Sequence, residues 1–254
     1  FLKKNKIERS ELQEKKTSKG SFYFYTLKIN TQPLSKILSR IFTDIIQEFN
    51  WPKSMYWGDN YSLRWVRPLR SITAVLFENE KRERVPLHVR DIESGIVTRA
   101  HHVMHPEFFD FKSINDYQEK IANGKVILQP QDRKKIIVQE GKKLAEAIGF
   151  NLIEDDKLLE EIVGLTEFPV PLLGKIPEEL LSIPEEVIIS SMREHQKFLS
   201  LRSSTNGKVE GFLVITDLET HDQQKTILSG NMRVLNSRLK DAMFFYQNDL
   251  DLVR

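Results

Sequence analysis

Strand-like and helix-like apolar patterns intersperse along this 254-residue chain without a regular strand–helix–strand rhythm. That irregularity constrains the fold most. It argues against a doubly wound parallel sheet and for an α+β module in which mixed or antiparallel sheets pack against helices. The aromatic run from Ser21 to Ile29 predicts a strand, and the paired apolar residues Ile37-Leu38, Ile41-Phe42 and Ile45-Ile46 predict an amphipathic helix closing near Pro52. Ile72–Phe77 reads as a strand, residues 78–81 as a turn, and Val85-Pro86-Leu87-His88-Val89 as an alternating edge strand. Helices are expected over 113–122, 130–148 and 154–163. The second has the stripe Ile137, Leu144 and Ile148 and a stop at Gly149. An extended element at 168–174, a helix at 184–197, a buried strand at 211–216 and a last helix at 229–245 complete the reading. Residues 1–50 form a basic segment, strand and helix of the same module as the α+β core at 51–254, whose helical portion lies at about 113–163.

The chain is 40% hydrophobic and 29% charged, which allows a real core beneath a solvated surface. No apolar run approaches the ~18 residues of a membrane span, and Phe1-Leu2-Lys3-Lys4 opens no apolar leader, so a cytoplasmic chain without a membrane partner is expected. Starting at Phe1 rather than Met, the sequence reads as a piece of something longer. The absence of cysteine excludes disulfides, thiol catalysis and zinc fingers. Phosphate-cradling glycine loops, nucleophile elbows and H-E-x-x-H are also missing, so nothing in the motifs places ATP, a metal or a catalytic residue on this chain.

The net charge of +2 predicts no partner by itself. Its distribution says more. Eight Lys/Arg between Lys3 and Lys28 face only Glu8, Glu11 and Glu14, a stretch that reads first as a solvated segment and second as an anion-seeking one. Helical spacing puts Ile188, Met192 and His195 on one side of a helix, with His195 half-buried, and Arg193 and Lys197 on another. In the last helix, Met232, Leu235, Leu239, Ala242 and Met243 form a core face, Arg238 pairs with Asp241, and Arg233, Ser237 and Lys240 stack where they can follow a nucleic-acid backbone. Arg67 and Arg70 follow Trp65 in a run that interleaves Arg with apolar residues, suited to bases or to an edge strand with Trp65 turned inward. The candidates for phosphate contact are therefore Arg193, Lys197, Arg233 and Lys240, then Arg67 and Arg70. His101, His102 and His105 read as a loop of solvated histidines, because Pro106 disfavours helix there and no acid lies in the cluster.

Taken in order, these segments resemble one family. Lys53-Ser-Met-Tyr-Trp-Gly58, Trp65-Val-Arg-Pro-Leu-Arg70, Ser94-Gly95 with Thr98-Arg99-Ala100-His101, and Leu165-Thr-Glu-Phe-Pro-Val170 with Gly174 look like the β subunit of bacterial tetrameric glycyl-tRNA synthetase. So do Ser191-Met-Arg-Glu-His-Gln-Lys-Phe198, Gly230-Asn-Met-Arg-Val-Leu235 and Arg238–Tyr246. The chain departs from the family pattern at Tyr56, Ala100, His102 and Met232, where that pattern has Arg, Gly, Arg and Glu. The resemblance implies an α2β2 enzyme joining glycine to tRNA(Gly), with ATP and Mg used on the α subunit and the β chain serving tRNA binding and assembly. It further implies a fold similar to the editing module of phenylalanyl-tRNA synthetase β chains. Two rival readings are an editing-type hydrolase using His101, His102 or His195, and a scaffold for subunit contact.

Overall fold

A computed structural model describes residues 2, 7–26, 31–57, 63–78 and 81–252. Among the described residues the chain is mixed α+β, with small, mostly antiparallel sheets and six α-helices, and it divides into two compact units, Phe1–Ile96 and Val97–Arg254.

In the first unit, β1 (Leu12–Thr17) and β2 (Gly20–Tyr25) form a hairpin in which Thr17 pairs with Gly20. Gly20 has φ +120°, a turn conformation that favours glycine. The end of the expected strand over 21–29 lies outside the described residues, as do Lys3, Lys4, Lys6, Lys28, Gly58 and the middle of the 78–81 turn. Helix α1 (Leu34–Glu48) follows, then the pair β3 (Met55–Trp57) and β4 (Leu63–Trp65). Trp65 sits against Trp51 and Phe49 with ring centroids 5.1 and 6.1 Å away, while Arg64, Arg67 and Arg70 are exposed. The run at 72–77 breaks at Ala74 into β5 (Ile72–Thr73) and β6 (Val75–Glu78), and β6 pairs with β7 (Lys81–Arg84). Val85, Leu87 and Val89 are buried and alternate with less buried Pro86 and exposed His88, as the pattern predicts. Only His88–Val89 forms a strand, β8, beside β9 (Ile92–Gly95). Buried Ser94 binds this unit together: its Oγ donates to the Val85 carbonyl at 2.6 Å and accepts from the Leu87 N–H at 2.9 Å.

The second unit opens with β10 (Thr98–Arg99) paired to β11 (Phe108–Phe109), followed by α2 (Ile114–Asn123), α3 (Pro130–Glu146), β12 (Phe150–Leu152) and α4 (Asp156–Leu165). Next come β13 (Val170–Lys175) and α5 (Glu185–Ser191), which runs into a π-helical turn (Met192–Gln196). β14 (Leu199–Ser203), β15 (Val209–Thr216) and α6 (Lys225–Leu252) complete the unit. Apart from the β10–β11 pair, the strands of this unit form one antiparallel sheet in the order β12-β14-β15-β13. In β15, Val209, Phe212 and Val214 face a core shared with Ile188, Met192, Leu235 and Leu239 from the α5 and α6 side. Leu213 faces the other core, with Ile137, Leu158 and Ile162 from α3 and α4. The continuous apolar run therefore marks a strand buried on both faces.

Three helical expectations are corrected. On α3, Leu144 and Ile148 are exposed; the buried line is Ile137, Gly141 and Ala145. A Cβ at Gly141 would stand 2.6 Å from Leu213 Cδ2, so α3 approaches the sheet through small residues. The helix over 184–197 changes to π geometry at Met192 and ends at Lys197, whose φ is +58°. That change of period turns His195 away from the Ile188–Met192 face, whose side chains are buried in the core. Helix α6 ends later than 229–245 and starts earlier, where Asp222 accepts from the Thr226 N–H at 2.9 Å and seeds its first turn.

Two glycines allow close contact. Ala100 is buried, and a Cβ on Gly124 would lie 2.1 Å from its methyl group, so the alanine that departs from the family pattern fits where residue 124 has no side chain. A Cβ on Gly174 would lie 2.2 Å from Cζ of Phe212, whose ring is fully buried and stacked on Phe198 at 4.8 Å. Gly174→Ala is therefore expected to lower the stability of the chain by about 1–3 kcal/mol, read from its urea midpoint; an unchanged midpoint would show that the ring can move aside.

Candidate nucleic-acid interface

The six expected contact residues separate into three settings. Arg193 and Lys197 lie where α5 gives way to β14. Arg193 Nε donates to Asp155 Oδ2 at 2.7 Å and its guanidinium meets Glu194 at 2.9 Å; Lys197 Nζ meets Glu161 at 3.0 Å. Asp155 is also the N-cap of α4, accepting from the Leu158 N–H at 3.0 Å. These ion pairs hold the π turn to α4. The Leu158 N–H, then Arg193, hold the Asp155 carboxyl below its ordinary value, and Asp155 in turn raises Arg193. Both cations are thus neutralised within the chain.

Arg233 and Lys240 differ. They are exposed on α6 and have no ion-pair partner among the described residues. The helical repeat sets Lys225, Ser229, Arg233, Ser237, Lys240 and Phe244 along one flank, away from buried Leu235 and Leu239. From Lys225 to Lys240 this flank runs about 22 Å. Its beginning is an open concavity of about 510 Å³ lined by Lys225, Thr226, Ser229, Gly230 and Arg233. Asp222 occupies the helix end itself, with its carboxyl held well below the ordinary range by the Thr220 hydroxyl and then Thr226. An anion would therefore meet the side chains of the flank and not the N–H groups at the helix end. Lys225 and Phe244 belong to this flank although the stacking of Arg233, Ser237 and Lys240 alone did not reveal them; extending the same spacing one turn each way would have. Arg67 and Arg70 belong to the other unit, and both are exposed without an ion-pair partner among the described residues. Met232, where the family pattern has Glu, packs against the core under α6.

The histidine loop is corrected as well. His101 is fully buried rather than solvated; His102 and His105 are exposed. His101 Nδ1 accepts from the N–H groups of Val103 and Met104 at 3.3 and 3.2 Å, and Nε2 faces Asp217 Oδ2 at 3.3 Å. Asp217 Oδ1 takes the N–H groups of Glu167 and Phe168, each at 2.7 Å. Asp217 is 116 residues away from His101 in sequence, so the local pattern gives no sign of it. Atoms of His101, His102 and Glu167 lie within 4.8 Å of one another. The His101 and His102 rings are stacked, however, at 5.2 Å and 23°, and both His101 nitrogens are engaged. A metal ion at this triad would therefore have to displace a contact that His101 already makes.

His195 opens onto a groove of about 650 Å³ between α5 and α6, beside Glu194, Arg238, Asp241 and Phe245. Arg238 and Asp241 are not within ion-pair distance, contrary to expectation, and no hydrogen bond joins the His195 ring to a base or acid among the described residues.

The glycyl-tRNA synthetase beta subunit family matches residues 1–252. The chain belongs to that family. It is 41% identical over 254 residues to the glycine–tRNA ligase beta subunit of Ruegeria sp. strain TM1040 and 41% identical over 250 residues to that of Paracoccus denitrificans. It is 36% identical over 250 residues to the beta subunit of Rickettsia typhi. These alignments cover 100%, 98% and 98% of this chain but only 37%, 36% and 37% of the relatives, so the chain spans just over a third of their length.

Two outcomes test the local geometry. Asp217→Ala strands two N–H groups and the His101 ring, and is expected to cost about 2–4 kcal/mol in urea unfolding; near-neutrality would mean that the loop is held by other contacts. Because folding lowers the Asp155 pKa, its stabilisation is present above the ordinary value of 3.8 and lost as pH falls from there through the folded value. The urea midpoint should fall over this window, and Asp155→Asn should flatten the fall; an equal slope in both proteins would count against the assignment.

Proposed function

We propose that this chain acts within a glycine–tRNA ligase by holding tRNA for chemistry carried out on a partner α subunit. The observation that supports this reading most directly is the α6 flank. Arg233 and Lys240 are exposed and, like Lys225, have no ion-pair partner among the described residues, with Ser229 and Ser237 between them. Unpaired cations spaced along one helix face give up no internal salt bridge when they meet phosphates, and release counterions when they do. Of the hydroxyls between them, Ser229 supplies a neutral donor to the same backbone, while Ser237 already donates to the Arg233 carbonyl at 3.1 Å. In this reading Arg233 and Lys240 contact tRNA(Gly), and Arg67 and Arg70 add a second basic patch. Arg193 and Lys197 act instead by fixing the α5–β14 junction.

The ATP and Mg of the reaction belong, in the same reading, to the α subunit of an α2β2 assembly in the cytoplasm. The relatives' printed name, beta subunit, and the absence of a phosphate-cradling loop in this sequence support that division of labour. Among the described residues no helix is long and apolar enough to cross a membrane. A role in assembly is supported by α1, which exposes Leu34, Ile41, Phe42 and Ile45 and buries only Ser35. A helix with this much uncovered apolar surface suits a protein contact. The α+β architecture is compatible with a likeness to phenylalanyl-tRNA synthetase editing modules, which is part of the same proposal.

The test is tRNA(Gly) binding by the full synthetase carrying Arg233→Glu and Lys240→Glu. Affinity should fall at least tenfold at low salt, and the slope of log affinity against log salt should shrink by about 2, at ~0.9 for each phosphate that is no longer neutralised. Arg193→Gln should lower stability more than it lowers that slope. An unchanged affinity and slope in the α6 variant would overturn the proposal.

A further inference from the structure

The hairpin of β1 and β2 presents a surface that the α6 reading leaves unused. Along β2, Phe22 and Phe24 are 47% and 46% exposed, and alternation puts both side chains on one face. On the neighbouring strand Lys15 pairs with Phe22, Gln13 pairs with Phe24, and both share that face. The Lys15 ammonium lies 5.4 Å from the Phe24 ring centre, over its π-face. The opposite face carries Glu14, Lys16, Tyr23 and Tyr25, with Tyr23 64% exposed. Lys19 stands in the turn, fixed where its N–H donates to Thr17 Oγ1 and the Thr17 hydroxyl donates to the Gly20 carbonyl. From residue 12 to 25 the ribbon holds three lysines against one glutamate.

Exposed aromatics beside cations have a specific meaning. A face meant for a protein core contact is depleted in lysine, and charged groups are pushed to its rim. Here lysine lies directly over the ring. Residues two apart on a strand are separated by about 7 Å, which leaves room for one splayed base against each ring. A stacked base needs only a π-face, and the adjacent ammonium groups meet the phosphates on either side. We propose that Phe22 and Phe24, with Lys15 and Lys19, form a stacking platform for an unpaired RNA segment. The platform lies wholly within the hairpin and shares with the α6 flank only the class of ligand.

The test measures the full 254-residue chain by fluorescence anisotropy against a labelled, unstructured oligocytidine octanucleotide at about 50 mM salt. Binding by the unaltered chain is expected. Phe22→Ala with Phe24→Ala should weaken it at least tenfold. Phe22→Leu with Phe24→Leu should weaken it comparably, since leucine keeps the apolar area but offers no ring to stack on. Lys15→Gln with Lys19→Gln should reduce the salt slope by about 1.4, at ~0.7 per single-strand phosphate. All three effects should persist when Arg233→Glu and Lys240→Glu are also present, so failure of this proposal and failure of the α6 reading are distinguishable. The rings are half-exposed, so circular dichroism should show the variants folded. The platform is overturned if the octanucleotide does not bind, if the leucine variants bind like the parent, or if duplex RNA of equal length competes as well as the single strand.

Discussion

The double-sided burial of β15 governs the architecture of the second unit. A strand whose successive side chains all enter apolar surroundings needs cover above and below, and here α3 and α4 supply one layer while α5 and α6 supply the other. Everything of functional interest in this unit hangs from that arrangement. Helix α6 presents its basic flank because Leu235 and Leu239 are anchored in the sheet core, and Asp217 receives its partners just beyond the end of β15.

The partition of the basic residues follows from where each lies relative to the acids. At the end of α5, a change to π geometry and a left-handed Lys197 bring Arg193 and Lys197 over α4, whose N-cap and outer face supply Asp155 and Glu161. Along the flank of α6 the neighbouring positions are hydroxyls, so the charges there stay uncommitted. Two helices with similar sequence character thus have opposite electrostatic roles: one holds the chain together, and the other is left facing solvent.

The apolar patterns located the six described helices and strands β2, β5, β6, β8, β13 and β15, but not β12 and β14, which make up half of the main sheet. The alternation of Val85, Leu87 and Val89, the two-sided run of β15 and the Leu235–Leu239 stripe follow from side-chain period and burial alone. The small-residue face of α3 was not legible, because Gly141 and Ala145 carry no apolar signal comparable to Leu144. Nor was the rotation of His195 off the core face, since a single π turn leaves no mark in residue type. The ring of His101 was misread as solvated for a different reason: its partners are one backbone segment and a carboxylate 116 residues away, and local pattern cannot contain either. Along α6, helical spacing put Arg233 and Lys240 on one exposed face but had no means of telling an uncommitted cation from a neutralised one. That distinction is tertiary.

The contact between Ala100 and Gly124 has a consequence for how this sequence can drift. The methyl group at 100 occupies the space a side chain at 124 would need, and Gly124 itself has φ −83°, an ordinary value for any residue. The ban on a side chain there is steric, set first by residue 100 and then by the Lys120 carbonyl 3.1 Å away, and not conformational. Replacing Ala100 by glycine first would remove the tighter of these two contacts before alanine entered at 124, while the reverse order passes through a clash. The two positions form a ratchet in which one change must precede the other.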